Sequence, residues 1–142
     1  MRFPSLQPDL AGDYVVALVV NDGDLDSVPA LATVSVITAQ QCALDSVALT
    51  RQGVIDAPDS DFNKPKSRST LLKILDKTDQ QINKPSPEKA TESLLDIRST
   101  MDGCVVNGVP DTAKPEDLVV NCTLAVDLFN LLERALECVS RM

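Results

Sequence analysis

The side chains best placed to do chemistry in this chain are Cys42, Cys104, Cys122 and Cys138. They are even in number, and no pair has the Cys-x-x-Cys spacing of a redox motif or a zinc knuckle. The chain has no histidine, so a zinc site would need all four thiolates to converge. Disulfides are the expected use, with free buried thiols as the alternative, and disulfides imply an oxidising compartment. A second group, Asp22, Asp24 and Asp26 beside Asn21, sets carboxylates at alternate positions, as a calcium cradle would. It lacks the terminal bidentate Glu of an EF-hand, and hairpin turns are acidic for conformational reasons alone. The turn reading is therefore preferred to calcium, and no cofactor is expected. Asp9 with Asp13, and Glu116 with Asp117, pair carboxylates as acid–base catalysis does, yet nothing around them predicts the burial that would shift a pKa. There is no Gly-x-Ser-x-Gly elbow and no Gly-rich phosphate loop. The expectation is a protein that is not an enzyme.

These residues sit in a chain of 142 residues, 44% apolar, with a net charge of −8. That charge argues against nucleic acid and anionic membrane as partners, because both reward clustered Lys and Arg. No apolar run reaches the length of a membrane span, so no membrane insertion is expected. Aromatic residues are few (Phe3, Tyr14, Phe62 and Phe129), which leaves the core to Leu, Val, Ile and Ala.

The acidic turn must be held by strands. Tyr14 to Val20 alternates Tyr14, Val16, Leu18 and Val20 with Val15, Ala17 and Val19, so both faces are apolar, as in a strand covered on both sides. Asn21-Asp22-Gly23 tolerates positive φ and turns the chain. A second strand, Leu31 to Ile37, carries Val34 and Val36 and completes a hairpin. The run Pro8-Asp9-Leu10-Ala11-Gly12-Asp13-Tyr14, followed by alternating Val and then Asn21-Asp22-Gly23, resembles the C-terminal third of a PKD-type domain, an Ig-like β-sandwich repeat of bacterial and archaeal surface proteins. The placement of Tyr14 also resembles a tyrosine corner, in which the phenol ties down the incoming chain. The earlier strands of such a domain are not in this sequence. A hairpin alone is marginal in water, so this one is expected to pack on the helices, to pair with another chain, including a homo-oligomer partner, or to be loosely ordered, with the first two competing.

The cysteines must be held by helices, because beyond Thr38 the apolar period changes from two to near 3.6. A first helix is predicted over 38–52, with Ala43, Leu44, Val47 and Ala48 inward and Gly53 near its end. A second is predicted from Ser67 or Ser69 to Asn83, with Leu71, Leu72, Ile74, Leu75, Thr78 and Ile82 at helical spacing. Ser86-Pro87-Glu88 starts a third, which presents Ala90, Leu94, Ile97 and Met101 and stops at Asp102-Gly103. A fourth spans 122–140 with Leu124, Leu128, Leu131, Leu132, Ala135, Leu136 and Val139. The fold class expected is mainly α: a four-helix up-and-down bundle with an N-terminal β-hairpin, divided as 1–37 and 38–142. Of the three possible pairings, local geometry favours Cys104–Cys122, and antiparallel packing then brings Cys42 towards Cys138. The run Met101-Asp102-Gly103-Cys104, then Pro110-Asp111, then Cys122 opening a Leu-rich helix, is similar to a helical module found downstream of PKD-type repeats in secreted prokaryotic proteins. Glu116-Asp117-Leu118 stands where that pattern carries an acidic-Trp step, and the resemblance implies no catalytic activity.

The function expected is therefore a non-catalytic structural or adhesion module, the C-terminal part of a larger secreted or cell-surface protein. Its location would be extracellular, periplasmic or on the cell surface, with a signal peptide encoded upstream, and its partner an extracellular protein or glycan. The alternative is a glycan- or peptide-binding domain using the apolar loop 105–121, where Val105, Val106, Val109, Leu118, Val119 and Val120 concentrate apolar area.

Overall fold

The computed structural model describes residues 5–112 and 116–142. The protein is mainly helical, and among the described residues it carries one two-stranded antiparallel hairpin. In chain order it comprises β1 (Gly12–Leu18), β2 (Ala30–Val36), α1 (Ala39–Asp56), a single 3-10 turn (Asp59–Asp61), α2 (Ser67–Asn83), α3 (Pro87–Arg98), α4 (Asp102–Asn107) and α5 (Cys122–Val139). It divides into two compact units, Met1–Thr38 and Ala39–Met142.

In the first unit, β1 and β2 pair so that Tyr14 lies opposite Val34, Val16 opposite Ala32 and Leu18 opposite Ala30. The period of two puts those six side chains on one face and Val15, Ala17, Leu31 and Thr33 on the other. Both faces remain open: Val15, Val16, Leu18, Leu31 and Val34 are all exposed. The Tyr14 hydroxyl donates to the Leu10 carbonyl at 2.8 Å and accepts from the Leu10 amide at 3.2 Å, which fastens the segment entering β1.

The second unit has the core. Helical spacing gathers Ala43, Val47 and Val54 of α1, Leu71, Leu75 and Ile82 of α2, Ala90, Leu94 and Ile97 of α3, and Leu128, Leu132 and Val139 of α5 into one buried cluster. α1 packs against α5 and α2, α2 against α3, and α3 against α5. Three of the buried hydroxyls are satisfied within their own helices, while that of Ser93 on α3 donates to Gln81 Oε1 of α2 at 2.8 Å. Ser46 donates to Cys42 O at 2.9 Å, Thr50 to Ser46 O and Thr78 to Ile74 O, both at 2.8 Å. Asn121 caps α5 by accepting from the amides of Thr123 and Leu124 at 3.0 and 3.3 Å.

Two sequence expectations are corrected here. α1 does not end near Gly53 but continues to Asp56. A Cβ at position 53 would lie 2.9 Å from Leu128 Cδ2, so the glycine admits α5 at close range rather than stopping the helix. The described residues also form five helices, because Asp102-Gly103 does not lead directly into loop but opens the short α4. The reason is packing: Gly103 and Cys104 are buried, and α4 lies against α5.

Candidate functional site: the disulfide-closed loop and the acidic turn

Two disulfides join Cys42 to Cys138 and Cys104 to Cys122, with Cα–Cα distances of 5.8 and 5.0 Å. The first ties the start of α1 to the end of α5 across 96 residues, and the second closes an 18-residue separation between α4 and α5. No cysteine is left free among the described residues.

The Cys104–Cys122 bridge bounds the apolar loop 105–121, of which residues 113–115 lie outside the described residues. Its two halves differ. On the outgoing side Val106 and Val109 are 78% and 61% exposed, while Val105 is half-buried. On the returning side Val119 is fully buried, and Leu118 and Val120 are half-buried. This side is stitched at three points: Leu118 N donates to Thr100 O at 2.7 Å, Asn63 N to Leu118 O at 3.0 Å, and Val120 N to Asp61 O at 2.8 Å. Val119 forms a bridge with Phe62, and Asn121 Nδ2 reaches Asp61 Oδ1 at 2.9 Å. Val119 is thus core rather than a contact available to a ligand. Among the described residues of the loop, the exposed large apolar side chains are Val106 and Val109. The partners Asp61, Phe62 and Asn63 lie more than fifty residues away in sequence, and no local signal marks them as the loop's support.

The carboxylates singled out from sequence are each engaged separately. Asp9 Oδ1 lies 3.3 Å from the Tyr14 hydroxyl, whereas Asp13 Oδ1 accepts from Ser35 Oγ at 2.6 Å. Glu116 pairs with Lys64, while Asp117 is buried and accepts from the Asp111 amide at 2.9 Å through Oδ2. Neither couple forms an acid–base pair. Asp117 also explains Gly103, where a Cβ would lie 2.5 Å from Asp111 N and 2.6 Å from Asp117 Oδ2.

In the acidic turn, Asp22 Oδ1 accepts from the amides of Asp24 and Leu25, each at 3.0 Å. The Leu25 bond, then the Asp24 bond, hold the Asp22 carboxyl below its ordinary value. Asp26 Oδ1 accepts from Asn21 Nδ2, and Asn21 Oδ1 from the Gly23 amide, both at 2.7 Å. These oxygens shape the turn, and among the described residues no group of three acidic or thiol side chains is arranged to hold a metal ion. No described helix is long and apolar enough to cross a membrane.

No family model, no curated protein and no solved structure matches this chain.

Proposed function

We propose that this chain is a non-catalytic structural or adhesion module of a secreted or cell-surface protein. On this reading β1 and β2 are the closing strands of a PKD-type Ig-like domain, and the long helices form an up-and-down bundle. The observation that carries it is the pair of disulfides, since such bonds persist in oxidising compartments and are rare in a reducing cytosol. The open apolar faces of the hairpin agree with a sheet built to be extended by further strands. Labelling intact source cells with a membrane-impermeant amine reagent tests the location, and thiol alkylation without reductant tests the redox state. Surface labelling together with no alkylated cysteine is expected. Recovery only from lysate, with four reduced thiols, overturns the reading.

A second reading, recognition of a peptide or glycan by the loop 105–121, is favoured by one observation, the exposure of Val106 and Val109. Val106→Ser with Val109→Ser should then abolish capture on a glycan or peptide array at unchanged melting temperature. A melting temperature lowered by the same change returns the loop to a packing role.

A further inference from the structure

Residues 64–89 hold seven of the chain's 13 basic side chains and three of its 21 acidic ones, so a chain of net charge −8 contains one net-positive segment. The helix gives that segment a direction. Lys66, Lys73, Lys77 and Lys84 are spaced seven, four and seven residues apart, and at about 100° per residue they fall within about 40° of one another along α2. The row extends roughly 27 Å from the N-cap to the C-cap at about 1.5 Å per residue. All four side chains are exposed. At the C-terminal end, Lys77 and Lys84 face Lys89 of α3 across a groove of about 440 Å³, with Gln80, Gln81 and Ser86 as further polar lining and Glu92 as its one carboxylate.

None of these five lysines has an ion-pair partner among the described residues. The fold itself removes the nearest ones. Asp76 and Asp79, the acidic residues of α2, are drawn to Arg51 of α1 at 2.8 and 2.6 Å. The arginine of α2, Arg68, is engaged by Asp59 and lies 5.0 Å from the Phe62 ring centroid. What is left is an uncompensated line of ammonium groups.

We infer that this α2 track binds a linear acidic oligosaccharide. A row of this length fits an extended polyanion better than a single ion. Lysine alone, with no arginine or aromatic side chain in the row, provides charge without the bidentate and stacking groups that recognise nucleic acid. α2 leaves none of its large apolar side chains exposed, so it has nothing to insert into a lipid surface. The choice of carbohydrate rests on the extracellular reading proposed above, whereas the cationic track does not.

The test is calorimetry on the full chain in 50 mM NaCl with three probes: a heparin-derived dodecasaccharide (sulfate and carboxylate), a polygalacturonate fragment (carboxylate only) and a 20-nucleotide single-stranded DNA. At least one oligosaccharide should bind, and the sulfate and carboxylate arms show which anion is preferred. Lys73→Gln with Lys77→Gln and Lys84→Gln should weaken that binding at least about tenfold and lower the slope of log K against log [salt] by about 2–3, at an unchanged circular dichroism spectrum. Arg134→Gln, an exposed cation away from the track, should leave binding as it was. Binding of neither oligosaccharide, or equal affinity for the triple variant, overturns the inference. DNA bound more tightly than both oligosaccharides keeps the track but overturns the carbohydrate, independently of where the cell places the protein.

Discussion

The hairpin Gly12–Val36 and the helix Cys122–Val139 draw on the same aliphatic residues, and those residues end in opposite surroundings. Leu18 and Leu31 are 57% and 70% exposed, whereas Leu128 and Leu132 are buried. The difference lies in how many neighbours each element has. A two-stranded sheet has two faces and two edges to cover and only one partner strand, while α5 has α1, α3 and α4 around it and a disulfide near each end. Composition alone therefore does not make a core. The hairpin is made of core residues, and among the described residues of its own unit nothing covers them.

The comparison can be broken at several points. Removing the long staple should have the largest effect: Cys42→Ala with Cys138→Ala should cost about 4–5 kcal/mol on the chain-entropy model, with the shorter Cys104–Cys122 closure worth about 3 kcal/mol. Chemical denaturation followed by helical circular dichroism measures both, and the hairpin's amide resonances should not shift. Matched truncations come next. Leu71→Ala, in the helical core, should cost about 2–5 kcal/mol, and Leu31→Ala, on the open hairpin face, less than about 0.5 kcal/mol. Equal costs would show that the hairpin is covered in solution and would erase the contrast.

Gly103→Ala should follow at about 1–3 kcal/mol, because the added methyl meets the Asp111 amide and the Asp117 carboxylate rather than a flexible chain end. The smallest effect concerns the acidic turn. The Asp22 carboxyl sits below its ordinary value of 3.8 because its charged form accepts the Leu25 and Asp24 amides. A depressed folded-state value stabilises the turn fully above the unfolded value, and that contribution is lost as pH falls through the folded one. NMR titration should show the Leu25 and Asp24 amides losing their hydrogen-bonded shifts only below about pH 4, with α5 unchanged.

The element types were legible where one local rule governed. Alternating Val and an Asn-Asp-Gly turn give the hairpin, and Pro87 and the Leu-rich period give α3 and α5. Rules broke down where distant chain decided. Gly53 looks like a helix end by propensity, yet it lies inside α1, where a Cβ would meet Leu128 Cδ2 of α5 at 2.9 Å. Val119 looks like an exposed apolar loop residue, yet Phe62, 57 positions earlier, pairs with it. The lysine row follows from the helical period, but its freedom does not, since local spacing offers Asp76 and Asp79 as partners until Arg51 takes them.

By itself the sequence determined the mainly helical character, the hairpin, the absence of histidine and the presence of four cysteines to be paired. These depend on backbone preference and side-chain chemistry, which act over a few residues. Only the tertiary structure decided which half of the Cys104–Cys122 loop is core, which glycine is a contact and which charges remain unpaired. Those outcomes depend on which atoms from remote segments occupy the same few ångströms, and short-range rules carry no information about that.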